Sequence, residues 1–428
     1  MREQRKQALL PKLRFPEFRE AGEWEEKLLG AVCDMQAGKF VSASEILDKP
    51  AKEHYPCFGG NGLRGYTKSF NQSGRYSLIG RQGALCGNVN LVEGNFYATE
   101  HAVVTTTKLG IRTDWLFYNL CLLNLNRFAT GQAQPGLSID VLEKVNCAVP
   151  KDEKEQQKIA DCLSSIDELV TLETQKLDTL KTHKKGLMQQ LFPAEGETLP
   201  KLRFPEFRDA RKWEERELGP LTTKVGSGIT PMGGDKNYKT KGRPFVRSQN
   251  VGWGELILND VAFIDEETHQ SFDSTEIKVS DVLLNITGAS IGRSAVADSR
   301  IAGGNVNQHV CIIRVKQDKL SPTLLNHFLI SERGQKQIDS FQAGGNRQGL
   351  NFAQIWSFVV PLPPTEHEQR RVADCLTSLD ELITAQTQKL AALKAHKKGL
   401  MQQLFPSVGG VDGEAGRGGR PVVDGAQG

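Results

Sequence analysis

KIADCLSSIDELVTLETQKLDTLKTHKKGLMQQLFP occupies residues 158–193, and RVADCLTSLDELITAQTQKLAALKAHKKGLMQQLFP occupies 371–406; 26 of the 36 aligned positions are identical. In the first copy apolar residues fall at Ile159, Cys162, Ile166, Leu169, Leu177, Leu180, Leu187 and Leu191. The second copy repeats them at Val372, Cys375, Leu379, Leu382, Leu390, Leu393, Leu400 and Leu404. Steps that are mainly three, four or a multiple of seven predict helices with a narrow apolar seam. Prolines precede each run (Pro150; Pro361, Pro363, Pro364), none interrupts it, and Pro193 and Pro406 close it. Each helix would be roughly 54 Å long at 1.5 Å per residue. A lone helix of that length is unstable in water unless its seam is covered. Two near-identical copies can cover each other, with Ile166, Leu169, Leu177, Leu180 and Leu187 facing Leu379, Leu382, Leu390, Leu393 and Leu400. Cys162 and Cys375 then read as seam residues rather than reactive thiols. His183 and His396, with the lysines that follow, form a basic last turn. It suits the helix dipole, a phosphate or an acidic partner.

The repeat extends outward. FATGQAQPGL at 128 pairs with FQAGGNRQGL at 341, and PKLRFPEF occurs at both 11–18 and 200–207, followed by a tryptophan (Trp24, Trp213) and then Leu-Gly. Between these frames the copies diverge. Only fragments correspond, such as GALCG (83–87) with GASIG (288–292), and His101 with His309. Like frames with unlike centres imply one physical task performed twice on two different targets.

The centres alternate short apolar runs with Gly and Asn turns, which is strand-and-turn chemistry. Among them stand Arg64, Tyr66, Lys68, Arg75, Arg81 and Gln82 in the first centre. Arg243, Arg247, Gln249, Asn250, Arg293, Gln308 and Arg347 stand in the second. Arg, Gln and Asn pair bidentately with guanine and adenine edges, and loop Lys and Arg near aromatic residues suit phosphate contact. These residues are the candidate DNA contacts.

The 428 residues suit two or three domains. A net charge of +3 permits nucleic-acid binding without announcing it. The eight cysteines form no CxxC and no zinc spacing, as in a reduced cytoplasmic protein. MREQRKQ leads into prolines, so no signal peptide is expected. WLFYNLCLLNLNRF is too short and too rich in asparagine to span a bilayer. The glycine-rich tail from Ser407 reads as disordered. FGGNG (58–62) lacks the clean strand and the acidic residue of an AdoMet loop. PLPP (361–364) lacks the polar and aromatic ends of a base-holding tetrapeptide. No phosphate-binding ATP loop, no zinc-protease motif and no ordered Ser/His/Asp set stands out. No catalytic residue and no metal ligand is assigned.

Taken together, the two loop-rich centres, the near-identical helices, YPCFGGNGLRGY, LIGRQGALCGNV, ATEHAVV, GRPFVRSQNV, NVNQHV, PKDEKEQQKIADCL, PTEHEQRRVADCL and HKKGLMQQLF resemble the DNA-specificity (S) subunit of Type I restriction–modification systems. The resemblance covers roughly residues 10–406. It implies an α+β fold with two divergent target-recognition domains, each followed by a long helix, the helices pairing as an antiparallel coiled coil. The expected divisions are 1–152, first recognition domain; 153–192, first spacer helix; 193–365, second recognition domain; 366–406, second spacer helix; and 407–428, tail. The family's roles would make the chain a non-catalytic reader of an asymmetric, bipartite duplex site, with two methylation subunits and separate motor-nuclease restriction subunits as partners. AdoMet, ATP and Mg would then belong to those partners, and no membrane would be involved. Helices of this length would set the half-sites at most about one and a half duplex turns apart. The competing reading is a tandem-repeat coiled-coil scaffold joining other proteins. Salt-dependent duplex binding separates the two.

Overall fold

In the computed structural model, Asp152 and Thr365 start two long helices. The Asp152 carboxylate accepts from the Lys154 amide (2.8 Å) and the Thr365 hydroxyl from the Glu368 amide (3.2 Å). These are side-chain caps on otherwise orphaned helix donors. The helices run Glu153–Leu191 and Glu366–Leu404, 39 residues each, or about 58 Å apiece. Glu153, Glu155, Glu366 and Glu368 lie in the first turns, where the dipole favours negative charge. The structure describes residues 8–407 except 84, 132–134, 232 and 343–348. Among them no helix is long and apolar enough to cross a membrane.

Two compact units divide the chain, one made of residues 1–173 with 389–428, the other of 174–388. Both boundaries fall inside the long helices. Each unit therefore holds the N-terminal half of one helix and the C-terminal half of the other. In the first unit Asp167 binds Lys397 and Glu173 binds Lys389, so partners descend as numbers ascend: the segments are antiparallel. In the second unit Lys184 binds Asp380, the same pair with the helices exchanged.

The recognition part of the first unit is a six-stranded sheet in the order Cys33–Ala37, Ala102–Thr107, Gln72–Gly80, Val89–Ala98, Tyr55–Gly59, Gly62–Thr67. All neighbours are antiparallel except Tyr55–Gly59 on Val89–Ala98. The second unit splits this arrangement. Thr222–Ser227, Val310–Val315, Val282–Asn285 and Ser294–Val296 form one sheet. Ala262–Ile264, Arg243–Val246 and Asn305–Val306 form another, again with a single parallel pair. Under the first sheet lie Trp24, Leu29, Trp115, Leu116, Leu120 and Leu163, with Leu404 and Phe405 from the end of the second helix. Under the second lie Trp213, Leu218, Leu284, Phe328 and Leu376, with Leu191 and Phe192 from the end of the first helix.

The repeated frame makes repeated bonds. Glu155 receives Arg14 Nε and Nη2 (2.8 Å each) and Trp24 Nε1 (3.2 Å); Glu368 receives Arg203 Nε (2.7 Å), Nη2 (2.8 Å) and Trp213 Nε1 (2.9 Å). The Gln156 carboxamide oxygen accepts from the Arg112 amide at 2.9 Å, and that of Gln369 from the Ser321 amide at 2.9 Å. Each glutamine thereby anchors the start of a short helix, Thr113–Leu122 or Pro322–Leu329.

The seam needs one correction. Ile166, Leu177 and Leu390 are buried, and Leu180, Leu187, Leu379, Leu393 and Leu400 are half-buried. Leu169 and Leu382, however, are 47% and 54% exposed. The covered stripe steps 159, 163, 166, 170 and 372, 376, 379, 383, alternating four and three. Leu163 and Leu376, absent from the expected seam, are its fully buried members. A further step of three carries Leu169 and Leu382 off the stripe, because the next covered position is four residues on.

At one place the units differ in chemistry. In the first, Tyr118 donates to Asp167 (2.9 Å). The matching residue of the second, His327, sits with Nδ1 3.9 Å from Asp380 and Nε2 3.3 Å from Thr377 Oγ1. Burial, reinforced by the Lys184 charge, pushes His327 from 6.5 down to about 3. A histidine depressed on folding takes up its proton only when the chain unfolds. Its contribution is intact above pH 6.5 and is lost as pH falls toward 3. At pH 5 the loss is roughly 2 kcal/mol. Burial also raises the Asp380 carboxyl, which offsets part of this loss at the acid end. Hydrogen-exchange protection in Pro322–Leu329, corrected for the intrinsic pH dependence of amide exchange, should fall between pH 7 and 5, and His327→Gln should remove most of that fall. An undiminished fall in the variant would assign it to other groups.

Candidate nucleic-acid interface

Three loops meet at the end of the parallel strand pair in each recognition domain, and backbone bonds lock them. In the first, the Thr99 amide donates to Phe58 O (2.9 Å), Arg81 to His101 O (3.0 Å), Leu137 to Arg81 O (2.9 Å) and Gly80 to Asn88 O (2.8 Å). In the second, Asn307 donates to Val246 O (3.0 Å), Ile286 to His309 O (3.0 Å), Leu350 to Ile286 O (2.9 Å) and Asn285 to Arg293 O (2.9 Å). The two lattices are the same, bond for bond. A side chain just before each histidine repeats the match: Thr99 Oγ1 accepts the His101 amide (3.4 Å), and Asn307 Oδ1 accepts that of His309 (3.0 Å). Gly80 and Gly60 show how close the loops come, since a Cβ on Gly80 would lie 2.2 Å from Gly60 O. At the corresponding place Asn285 Nδ2 donates to Ser248 O at 2.8 Å.

On this platform the first domain opens a groove of about 430 Å³ between Gly59–Arg64, Gln82, Gly83 and His101. His101 Nε2 lies 3.2 Å from Glu100 Oε1. Glu100 Oε2 and Arg81 Nε are buried and have no hydrogen-bond partner among the described residues. In the second domain His309 Nδ1 meets the Thr287 hydroxyl, and its Nε2 lies 3.3 Å from Gln308 Nε2. Gln308 Oε1 in turn accepts from Thr230.

The family model described as the Type I restriction modification DNA specificity domain matches this chain twice, over residues 21–182 and 210–395. The chain belongs to that family. The Type I restriction enzyme EcoprrI specificity subunit of Escherichia coli is 47% identical over 148 residues, 34% of this chain and 37% of that protein. The MjaVIII specificity subunit of Methanocaldococcus jannaschii is 23% identical over 415 residues, 92% of this chain and 93% of that one. Among solved structures, the Type I S subunit from M. genitalium superposes with a TM-score of 0.66 at 17% identity, covering 94% of this chain and all (100%) of that one. That likeness concerns the fold: two specificity domains with a long helix after each.

In this specificity chain the candidate contacts are dispersed. Arg64 and Gln82 border the groove and Gln308 stands exposed on the second platform. Arg81 and Arg293 are half-buried in the matching loops, and Tyr66 and Lys68 lie on and just beyond the hairpin strand Gly62–Thr67. Arg75 is engaged elsewhere. It binds Asp114 through Nε (2.8 Å) and Nη2 (2.6 Å), and also Glu93, tying its strand to the helix behind. The Asp114 bond also raises the guanidinium pKa, keeping the charge. Arg243 is held by Glu266 (2.8 and 3.1 Å). Arg247 and Gln249 share Asp260, at 3.2 and 2.6 Å. Asn250 is a correction. It is 1% exposed, its Oδ1 accepts the Arg247 amide (2.9 Å), and its Nδ2 donates to Ile257 O (2.9 Å). It shapes the loop from within and has nothing left for a base. Arg347 falls outside the described residues. The residues that sequence reading missed are Glu100 and Thr287; the only signal for them was that each neighbours an aligned fragment.

Proposed function

We propose that this chain reads an asymmetric, split duplex DNA site, one half with each recognition domain, and holds methylation and restriction subunits on it. The observation that carries this reading is the pair of platforms. One backbone scaffold is built twice in one chain and presents unlike side chains, as two readers of unlike half-sites require. Like frames suit two copies of one methylation subunit. Leu169 and Leu172, 47% and 60% exposed on one helix, offer such a partner an apolar stripe. The chemistry belongs to the partners in this reading, with AdoMet on the methylation subunits and ATP and Mg on the motor-nuclease subunits. The complex works in the cytoplasm, on the cell's own DNA.

Single-molecule methylation sequencing of cells with and without this gene tests the reading. Deletion should erase one asymmetric, two-part motif, and binding of the assembled complex to a duplex carrying it should weaken steeply with salt. If no motif disappears while the partner subunits are expressed, the DNA-specificity role is lost and a scaffold role takes its place.

A further inference from the structure

The matched bonds put individual residues of the two platforms in register although their sequences share little. Phe58 and Val246 accept the same bond, as do His101 and His309. Gln82 therefore stands where Thr287 stands, and both form an isolated bridge to the matching glycine, Gly136 or Gly349. Glu100 stands where Gln308 stands, and Asn88 where Arg293 stands. In this register the histidine is common and its neighbours on both sides are exchanged.

Those exchanges change what each platform offers. A carboxylate only accepts, so beside Glu100 the proton of His101 sits on Nε2. That bond uses one oxygen and leaves Glu100 Oε2 buried and without a partner among the described residues, on the residue just before the groove-lining His101. A buried acceptor of this kind costs free energy until a donor reaches it. In the second domain a carboxamide nitrogen faces His309 Nε2 and can only donate to it. The ring proton then sits on Nδ1 and goes to the Thr287 oxygen, leaving the Thr287 hydroxyl free to donate outward.

We infer that these positions set base preference in each half-site, with Glu100 and Gln82 of the first domain taking a base that carries an exocyclic amine and Thr287 of the second taking an acceptor edge. Adenine N6 and cytosine N4 supply the donor that Glu100 lacks; guanine O6 and N7 or thymine O4 suit the Thr287 hydroxyl. This inference rests on the reading of the chain as a DNA-specificity subunit.

The test uses the gene in cells with its partner subunits and reads methylated motifs genome-wide. Glu100→Gln copies the second platform into the first. It should relax or switch one amine-bearing base in the first half of the motif, cutting discrimination there roughly tenfold or more, with the second half unchanged. Gln308→Glu is the reciprocal variant and should alter one base in the second half only, so a folding defect in one variant leaves the other to decide. If deletion of the gene erases a motif but both variants methylate it unchanged, these positions do not read bases. If deletion erases no motif, the DNA-specificity reading itself fails and takes this inference with it.

Discussion

Phe405→Ala should loosen the first recognition domain and leave the second intact, although Phe405 lies at the far end of the described chain. It is 3% exposed, edge-on to Trp24 (5.9 Å) and stacked on Trp115 (6.3 Å). Its neighbour Leu404 belongs to the same core. Truncating a buried phenylalanine to alanine costs about 3–5 kcal/mol, part transfer and part cavity. That is a large share of a domain's net stability. Phe192 is the mirror residue, edge-on to Trp213 (6.4 Å) and Phe328 (5.8 Å), so Phe192→Ala should loosen the second domain instead. Hydrogen exchange resolves the two. Phe405→Ala should expose amides in Thr113–Leu122 and spare Val282–Asn285, and Phe192→Ala should do the reverse. Equal loosening of both regions by either variant would refute the crossed arrangement.

The crossed arrangement also explains which features could be read from sequence. The long helices were legible because helix formation leaves a local record: an apolar period and the prolines that flank it. The recognition that two such helices pair followed from their length, since an uncovered seam is unstable. The finer choice between Leu163 and Leu169 was not legible. A run containing leucines at both spacings fits the helical period in two ways, and only the facing surface decides. The candidate interface was half legible. Arg64, Gln82 and Gln308 were visible as loop residues of the right chemistry, but the platform is closed by backbone bonds between segments tens of residues apart, and backbone bonds leave no residue signature. Asn250 shows the same limit from the other side. An asparagine in a turn serves a base edge or its own loop equally well until its neighbours are known. Glu100 became interesting only through what it lacks, a partner for one oxygen, and that is a property of three-dimensional surroundings alone.

The exact octapeptide PKLRFPEF has its explanation in a second strong prediction. Arg203, its fourth residue in the later copy, is held by Glu368 of the second helix, whose side chain is 1% exposed. Two further donors of Arg203 reach Ala210 O (2.9 Å) and Arg211 O (2.8 Å), so four of its N–H groups are committed. Glu368→Ala would bury an uncompensated guanidinium and orphan the Trp213 indole N–H, for a loss of about 3–5 kcal/mol in the second unit. Arg203→Met alone should cost a similar amount, because it strands the carboxylate. Arg203→Met with Glu368→Leu should cost clearly less than the sum, since neither charge is then left buried alone. Chemical denaturation of the four forms gives the coupling. Additive losses would show that the pair contributes little as a pair. The same cycle at Arg14 and Glu155 should give a matching coupling in the first unit, where the geometry is repeated. A buried ion pair tolerates neither shortening nor loss of one partner, whereas a surface loop tolerates both. Two such pairs, each joining a lead-in segment to a helix start, constrain both frames in the same way, while the platforms between them carry no such constraint.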